Sequence, residues 1–332
     1  MAKIIDVARR AGVSAATVSR ALNHVGSVDP ALVERVRVAA DELGYRPNGV
    51  ARNLRRQRTD VWALIISDIA NPFFTAVARG VEDVAQRHGF SVLLCNSDED
   101  QGKEQRYLGV AEQEQVAGVI MSPNLRGSDV SRLVDAAIPL VTVDRSSRRP
   151  VDSVMVHSRE GARQATSHLL HSGWRRPACI TGPEHADTAR ERLSGYLDAM
   201  KDARRRTAKS LVRHTDFQEE SARRAMGSLL DERNPPDAVF IANATMALGA
   251  LEELNRRGAK PGRDIGLVAF DDAPWARFID PPLTVVAQPA YDIGATAAEL
   301  LVERIARSAP KRARHVVLST ELIVRESSIR RH

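Results

Sequence analysis

Short apolar runs that alternate with helical stretches make up most of the sequence from residue 59 onward. The runs are VWALIIS, FSVLLC, VAGVIMS and IPLVTV, followed by RPACIT, DAVFIA and IGLVAF. Continuous apolar strands that alternate with helices indicate parallel sheets, because each crossover helix covers a face of the sheet. The two sets of runs meet at about 156–161, and both open on a strand, a polar loop with Pro, and a helix. The sequence therefore predicts an α/β body of two similar lobes, with buried strands and a ligand cleft outside the strand ends.

The first 58 residues, which we call the head, have a different pattern of three short amphipathic helices. The first is predicted at 4–11 and ends at Gly12, which can take a left-handed backbone conformation. The second is predicted at 15–23, and the third runs from Pro30 to Gly44. Two short helices joined by a turn that contains glycine form a helix-turn-helix. The inward-facing residues of the third helix are predicted to be Leu32, Val33, Val36, Ala40 and Leu43.

Positive charge is concentrated in the head. It contains 11 Lys and Arg against 5 Asp and Glu, whereas the rest of the chain contains equal numbers of basic and acidic residues. The net charge of +6 therefore belongs to the head, which is the electrostatic signature of a unit that binds a polyanion. A solvated basic tail is the alternative, but the helical patterning of these residues argues against it.

The second helix of a helix-turn-helix lies in the major groove, with its N-terminal residues against the base edges. The DNA-contacting residues predicted here are Ser14, Ala15, Ala16, Thr17, Ser19, Arg20 and Asn23. Arg20 can donate two parallel hydrogen bonds to guanine, so most of the base reading is assigned to it. The alanines offer methyl contacts, and the hydroxyl and amide side chains suit phosphates, which carry no sequence information. For Ser14, a helix cap and a phosphate contact are equally compatible with the sequence.

Several motifs in fixed order are similar to those of the LacI/GalR family of bacterial repressors. The head carries IIDVARRAGVSAATVSRALN and VDPALVERVRVAADELGYRPNGVARNLR, and the body carries NPFF, HLLHSGWRRP, TARERLSGY, ANATMALGALEEL, FDDAPWARFIDPPLTVVAQP and RESS. The resemblance covers nearly the whole chain and implies a helix-turn-helix head on a two-lobed, periplasmic-binding-protein-like domain. The implied boundaries are 1–45 for the headpiece, 46–58 for a hinge, 59–332 for the effector-binding and dimerisation domain, 59–158 and 290–318 for its N-lobe, and 161–287 and 322–330 for its C-lobe. Crossings between the lobes are expected at about 157–161, 287–289 and 319–323.

The segment RPNGVARNLRRQR at 46–58 has few core-facing positions. Gly49 weakens it as an isolated helix by about 1 kcal/mol relative to Ala, so the residues by themselves are compatible with a flexible basic linker. The family resemblance implies instead a hinge helix that forms on operator DNA, enters the minor groove and wedges Leu54 between base steps. The DNA-contacting residues implied in this segment are Asn48, Ala51, Arg52, Leu54 and Arg55.

Polar and aromatic side chains follow the ends of the predicted strands. Such groups suit a sugar or polyol, because Arg forks and carboxylates bind vicinal hydroxyls and aromatic faces bind the ring. The residues assigned to effector binding are Asn71, Phe73, Phe74, Asp144, Arg145, Arg190, Arg192, Phe217, Asn243, Asp271 and Gln288. The resemblance implies effector contacts at Phe74, Arg145, Arg190, Arg192, Phe217, Asn243, Asp271 and Gln288. A carbohydrate is the expected effector, although a purine, a nucleoside or another small polar metabolite fits the same side chains.

Structural roles are the alternative for some of these residues. Phe73 and Phe74 are also compatible with a place in the core. Arg190 and Arg192 are compatible with ion pairs to carboxylates of their own helix, and Asp272 with a cap on the turn that follows it.

Three positions depart from the family pattern. Ala244 stands where an Asp commonly follows Asn243, and His157 stands where Asp or Asn is usual. Trp174 follows Gly173 where the family commonly has His. The first two departures concern how the cleft closes, and none of them concerns the fold.

Other protein classes are disfavoured by what the sequence lacks. It has no G-x-G-x-x-G after a strand and no Walker, H-E-x-x-H or G-x-S-x-G motif, so neither an enzyme nor a cofactor is predicted. It has no signal peptide and no apolar run of about 20 residues, which disfavours a periplasmic sugar-binding protein and leads us to expect a cytoplasmic location. Two distant cysteines and two helical histidines, His168 and His171, do not favour a metal site.

The sequence therefore predicts a sequence-specific transcriptional repressor whose operator affinity is controlled by a small-molecule effector. A homodimer on a pseudo-palindromic, double-stranded operator is expected, because two heads related by a two-fold axis read two half-sites. The chain stops soon after RESS without an appended heptad segment, so a dimer is favoured over a tetramer.

Overall fold

The computed structural model describes residues 2–22, 28–45, 59–124 and 128–330. The chain divides into two compact units, the head (Met1–Arg58) and the body (Thr59–His332). The predicted fold class, an all-α head followed by an α/β body with parallel sheets, is confirmed. Among the described helices, none is long and apolar enough to cross a membrane.

The head consists of α1 (Ile4–Ala11), α2 (Ala15–Leu22) and α3 (Pro30–Glu42). α1 ends at Gly12, whose φ of 64° is left-handed, and the chain then turns into α2. The Asp29 carboxylate accepts a hydrogen bond from the Ala31 N–H at 2.8 Å and caps α3. The apolar faces of the three helices meet in one small core, with Val7, Val18 and Val36 fully buried.

The core of the head differs from the prediction at one end of α3. Leu43 is predicted to be buried, but α3 ends before it and 38% of the residue is exposed. Leu32 and Val33 are half buried. Ala39, which is not among the predicted core residues, is buried because it falls on the helix face that carries Val36.

The body begins with β1 (Val61–Ile66). The elements that follow are α4 (Pro72–Arg87), β2 (Ser91–Asn96), α5 (Gln101–Gln113), β3 (Gly118–Met121), α6 (Ser131–Asp135), β4 (Leu140–Val143), β5 (Asp152–Val156), α7 (Ser158–His171), β6 (Pro177–Thr181), α8 (Asp187–Asp202), β7 (Val212–His214), α9 (Glu219–Leu230), β8 (Ala238–Ile241), α10 (Ala244–Arg256), β9 (Gly266–Phe270), β10 (Thr284–Ala287), α11 (Ala290–Ile305), β11 (His315–Leu318) and β12 (Glu321–Ile323). Short 3₁₀ segments lie at Lys209–Leu211, Pro274–Arg277 and Glu326–Ser328.

Two six-stranded sheets divide the body into an N-lobe and a C-lobe. The N-lobe sheet has the order β11-β5-β4-β3-β1-β2, with all neighbours parallel. The C-lobe sheet has the order β12-β10-β9-β8-β6-β7, and only the pair β10–β12 in it is antiparallel. The chain passes from one lobe to the other after β5, after β10 and between β11 and β12. Both lobes are therefore built from segments that are distant in sequence.

The strand β2 is an exception to the predicted burial of the strands. It lies at the edge of the N-lobe sheet, and Leu93 and Leu94 are each 41% exposed, whereas Cys95 is buried. The apolar run SVLLC predicts a strand correctly, but it does not distinguish an edge strand from a central one. Five further strands, β5, β7, β10, β11 and β12, are not among the predicted runs, since they are short or rich in polar residues.

A buried ion cluster joins the last segment of the N-lobe to its sheet. The Asp152 carboxylate is fully buried and accepts hydrogen bonds from Arg304 Nε at 2.9 Å and Arg314 Nη2 at 2.8 Å. It also accepts one from the Arg314 backbone N–H at 2.8 Å. Burial works to raise the pKa of Asp152, but the hydrogen bonds from the two arginines hold that pKa below its ordinary value of 3.8.

Candidate functional site

One cavity between the two lobes gathers ten of the eleven residues predicted to bind an effector. It lies at the carboxyl ends of the strands, where the loops of both lobes face each other. The ten residues are Asn71, Phe73, Phe74, Asp144, Arg145, Arg192, Phe217, Asn243, Asp271 and Gln288.

The N-lobe contributes an aromatic wall at the start of α4. The Asn71 side chain accepts a hydrogen bond from the Phe73 N–H at 3.0 Å and caps the helix. The rings of Phe73 and Phe74 meet edge to face, with centroids 5.0 Å apart. Both rings belong to the N-lobe core and also line the cavity. A place in the core and a place in the binding site are therefore compatible for these two residues.

A sharp turn after β4 places a buried arginine in the cavity. Asp144 has a φ of 64°, a left-handed conformation that non-glycine residues rarely adopt. Arg145 follows it and is 6% exposed. Its guanidinium donates to both oxygens of Glu99, at 2.9 and 2.7 Å, and to Ser67 Oγ at 3.2 Å. Burial raises the pKa of Asp144. Burial also disfavours the charged form of Arg145, but the neighbouring carboxylates outweigh this effect and raise the pKa of Arg145.

The C-lobe contributes a second buried arginine from α8. The Arg192 guanidinium lies 3.9 Å from the centre of the Phe270 ring, and its Nη1 donates to the Ala242 carbonyl at 2.6 Å. Burial lowers the pKa of Arg192 and raises that of Asp271. Gln288 Nε2 donates to the Asp271 carboxylate, which joins the residue after β9 to the residue after β10.

Three buried polar atoms of the cavity-lining residues have no hydrogen-bond partner within the described part of the chain. They are Nε of Arg192, Oε1 of Gln288 and Nε of Arg145, of which the last lies 3.4 Å from the Asp144 carboxylate in an ion pair. An unpaired buried polar group costs about 1–3 kcal/mol, so a ligand that pairs with these atoms gains free energy. Two donors and one acceptor suit hydroxyl groups, because a hydroxyl both accepts and donates hydrogen bonds.

Phe217 forms the aromatic wall on the C-lobe side. Its ring packs over Gly182, where an added Cβ would lie only 2.2 Å from the Cε1 and Cζ atoms of the ring. The Arg145 guanidinium lies 5.9 Å from the ring centre and reaches it from the opposite lobe. Asn243 caps α10 by accepting a hydrogen bond from the Met246 N–H at 2.7 Å.

Arg190 is the exception among the predicted effector-binding residues, since it is not part of the cavity. Its side chain is mostly exposed and pairs with Asp187 in the preceding turn of α8. This is the structural ion pair considered as the alternative for it. Asp272 also has a structural partner, because its carboxylate accepts two hydrogen bonds from Arg325, each of 2.8 Å.

The cavity also contains four residues that are not among those predicted. They are Asp68, Glu99, Thr188 and Gln218. Asp68 follows β1, Thr188 precedes Arg192 by one helical turn and Gln218 is next to Phe217, so their positions near predicted residues are a usable signal. Glu99 also follows the end of a strand, β2, but 46 residues separate it from Arg145, so its pairing with that residue has no signal in the sequence.

The lobes lie close together across the cavity. Ser146 of the N-lobe donates a hydrogen bond to Asp187 of the C-lobe at 2.8 Å. The free volume inside the cavity is about 40 Å³, which is enough for a few water molecules. A ligand as large as a sugar therefore requires movement of side chains or of a lobe.

The three departures from the family pattern lie outside the polar centre of the cavity. His157 precedes α7 at a crossing, where its N–H donates to the Leu318 carbonyl of another crossing at 3.1 Å. Ala244 is buried at the start of α10. The Trp174 indole donates to the Ser328 carbonyl at 2.7 Å in the core of the C-lobe.

Both cysteines of the body are buried, and His168 is half buried. Burial raises the pKa of both cysteine thiols, Cys95 and Cys179. Burial also lowers the pKa of His168, whose Nε2 lies 2.8 Å from Ser328 Oγ. Within the described residues, no group of three or more His, Cys, Asp or Glu side chains could hold a metal ion.

The predicted DNA-contacting residues of the head lie on or before α2. Ser14 caps this helix, because its Oγ accepts a hydrogen bond from the Thr17 N–H at 3.1 Å. Ala16 and Arg20 are exposed, Thr17 and Ser19 are half buried, and Ala15 packs partly against the core, which leaves less of its methyl group for DNA. The predicted residues outside the described part of the chain are Asn23, Asn48, Ala51, Arg52, Leu54 and Arg55.

Two family profiles match the chain. The one described as bacterial regulatory proteins, lacI family, matches residues 3–48, and the periplasmic binding protein-like domain matches residues 166–328. The ribose operon repressor of Halalkalibacterium halodurans is 36% identical over 99% of this chain and 97% of its own length. The transcriptional regulator CelR in complex with cellobiose is 35% identical over 98% of this chain and 100% of its own, with a TM-score of 0.75. The Lac repressor dimer bound to operator and the anti-inducer ONPF is 26% identical over 99% of both chains, with a TM-score of 0.85.

A helix-turn-helix head followed by a two-lobed body with a polar cleft defines a class of DNA-binding regulators in which ligand binding and DNA binding belong to separate units. The matches assign the chain within this class. It belongs to the LacI family of bacterial regulatory proteins. The predicted function, an effector-controlled transcriptional repressor rather than an enzyme, is thereby confirmed.

Proposed function

We propose that this repressor acts in the cytoplasm as a homodimer on a pseudo-palindromic operator, and that a carbohydrate bound between its lobes sets its operator affinity. In this proposal, residues 1–45 bind DNA, 46–58 form the hinge and 59–332 bind the effector and the second subunit. The observation that carries the proposal is the convergence of ten predicted residues from both lobes on one cavity. A ligand held by both lobes stabilises one lobe arrangement over others, which is the differential affinity that regulation requires.

On the DNA side, we assign base recognition mainly to Arg20, supported by its exposed position on α2. Ala15 and Ala16 are assigned methyl contacts, and Thr17, Ser19 and Asn23 contacts to phosphates. Ser14 is assigned chiefly to capping α2, since its hydroxyl already accepts the Thr17 N–H. In the hinge, we assign Leu54 to a minor-groove wedge and Asn48, Ala51, Arg52 and Arg55 to the contacts around it.

On the effector side, we propose a neutral monosaccharide of about pentose size. The cavity offers the groups that bind a polyhydroxylated ring: paired guanidinium and carboxylate groups, aromatic walls from both lobes, and Arg192 Nε and Gln288 Oε1 without hydrogen-bond partners. The name of the relative from Halalkalibacterium halodurans, a ribose operon repressor, makes D-ribose the first compound to test.

The proposed dimer is supported by an exposed apolar surface on the N-lobe. Leu93 and Leu94 are exposed on the edge strand β2, and Ala78, Phe90 and Leu94 line a groove beside it. An exposed apolar surface next to an unpaired sheet edge marks an interaction site. Two copies that cover this surface would combine two heads in one dimer.

The experiment that tests the proposed function recovers and sequences the genomic fragments that the purified protein retains at physiological salt. We expect a recurrent pseudo-palindrome, lost in the Arg20→Ala variant and kept in Arg35→Ala, which removes the same charge from α3. Addition of the effector should change the operator affinity by about 5–150-fold. Fragments without a shared sequence, retained equally by the parent and Arg20→Ala, would show that the head binds DNA through charge alone.

The hinge assignment has its own test. Leu54→Ala is expected to weaken operator binding and to leave effector binding unchanged, because the wedge acts on DNA and not on the cleft. Equal operator affinity for Leu54→Ala and the parent would contradict the assignment.

A further inference from the structure

Glu99 reaches the effector cavity through an unusual loop. Asp98 and Glu99, between β2 and α5, have φ values of 51° and 56°. Consecutive non-glycine residues in the left-handed region are uncommon and cost free energy, and such conformations cluster at functional sites. The loop turns so that the Glu99 carboxylate meets the Arg145 guanidinium from a distant part of the chain.

Hydrogen bonds hold Glu99 and Arg145 in place around their ion pair. The Glu99 carbonyl accepts a hydrogen bond from Asn124 Nδ2 at 2.7 Å, and Arg145 Nη1 donates to the Pro123 carbonyl at 3.2 Å. The side chains of Arg145 and Glu99 are only 8% and 18% exposed. Bidentate pairing occupies both terminal nitrogens of the guanidinium, which is the fork that otherwise binds a carboxylate or a phosphate.

The other charges around the cavity do not provide a second anion site. Arg192 is the other buried guanidinium, and Asp144 and Asp271 are the charges that act to keep it protonated. Asp68 adds a further carboxyl group to the lining. The cavity therefore contains two guanidinium and four carboxyl groups, and an added anion would meet repulsion unless Glu99 left Arg145.

We propose that Glu99 is a specificity-determining residue that restricts the effector site to neutral polyhydroxylated ligands and excludes phosphorylated or acidic ones. This inference rests on the proposed carbohydrate site. A neutral sugar binds beside the pair, through Nε of Arg192 and Oε1 of Gln288, which have no hydrogen-bond partner among the described residues. A sugar phosphate would have to displace Glu99 from the fork and leave that half-buried carboxylate without its partner.

The test is the Glu99→Gln variant, which keeps the size of the side chain and removes its charge. D-ribose, D-ribose 5-phosphate and inorganic phosphate are the probes, with thermal unfolding and isothermal titration calorimetry as readouts. We expect the two anions to bind the parent too weakly to be detected and to bind the variant measurably, with an affinity at least about tenfold above the detection limit, the scale of one charge-assisted hydrogen bond. Glu114→Gln, which neutralises an exposed acid of the same lobe, should behave as the parent does.

A double variant, Glu99→Gln with Arg145→Gln, should lose the gained anion binding, because it removes the fork. Glu99→Ala provides a second neutral variant with the same expected gain if Glu99→Gln unfolds. Binding of D-ribose 5-phosphate to the parent, or no gain in either neutral variant, overturns the inference. Failure of the carbohydrate proposal is a different result: D-ribose and other neutral sugars would then neither bind the parent nor alter its operator affinity, whatever the anions do.

Discussion

Gly182→Ala is expected to damage effector binding without changing any hydrogen-bonding group of the cavity. The added methyl carbon would lie 2.2 Å from two atoms of the Phe217 ring, whereas ordinary contacts begin at about 3.4 Å. The ring must therefore move by more than 1 Å. Gly182 does not have a left-handed φ, so the expected effect comes from this contact and not from backbone strain.

The magnitude follows from two separate costs. Overpacking a buried site costs about 1–3 kcal/mol of folding free energy, which should appear as a lower melting temperature of the body. A displaced aromatic wall loses van der Waals contacts with the sugar ring at about 0.1–0.2 kcal/mol each, and a total loss of about 1 kcal/mol corresponds to a decrease in effector affinity of about fivefold.

The assay is calorimetric titration of D-ribose into the parent, Gly182→Ala, Phe217→Leu and the double variant. Leucine is smaller than phenylalanine, so the double variant should bind more tightly than the sum of the two single effects predicts, which is the coupling a double-mutant cycle measures. Gly109→Ala is the control, because an added Cβ there would have its nearest neighbour at an ordinary 3.5 Å, from Arg132, and alanine is favoured in a helix.

Unchanged effector affinity in Gly182→Ala would refute the reasoning, since it would mean that the ring can move without loss of binding. Additive effects in the cycle would refute the assigned contact between Gly182 and Phe217. A loss of affinity of the same size in Gly109→Ala would show that the loss does not depend on the contact between Gly182 and Phe217.

Three further outcomes are expected. Asp152→Ala should lower the free energy of unfolding by about 3 kcal/mol in urea titrations, because it removes the buried carboxylate that Arg304 and Arg314 share and leaves Arg314 with Glu303 alone. Since the pKa of Asp152 lies below 3.8 in the folded state, its contribution is present above that pH and lost as the pH falls through the lowered pKa, so the deficit of the variant should shrink in acid. Ser14→Ala should cost about 1 kcal/mol of α2 stability and speed amide exchange at Thr17. Cys179 should resist thiol reagents until the body unfolds, since it is fully buried and burial raises its pKa; labelling of Cys179 in the native protein would contradict this.

Local signals account for the parts of the protein that the sequence predicts well. Gly12 ends the first helix and Asp29 caps the third because each acts on the backbone within a few residues of itself. The apolar strands follow from a periodicity that is visible within each run. The cavity residues that follow strand ends, such as Arg145 and Asp271, are predictable for a related reason: the ends of parallel strands lie at one edge of a sheet.

Contacts between distant segments explain where the structure differs from the predictions made from the sequence. Arg190 and Arg192 are two residues apart on one helix, yet the packing of α8 buries Arg192 against Phe270 and leaves Arg190 exposed. Whether Leu93 is covered depends on the position of β2 at the edge of its sheet, and a single apolar run does not encode that position.

The amino-acid sequence by itself determined the two-part architecture, the basic helix-turn-helix and the set of side chains at the strand ends, because each depends on residues close together along the chain. Tertiary structure alone decided that Glu99 pairs with Arg145, that Phe217 packs on Gly182 and that Ser146 donates a hydrogen bond to Asp187 of the other lobe. Each of these contacts joins two residues that lie 35 to 46 positions apart in the sequence, and no local pattern indicates such a pairing. The sequence therefore specifies which chemical groups line the cavity, whereas the charge balance and the closure of the cavity depend on how the two lobes fold against each other.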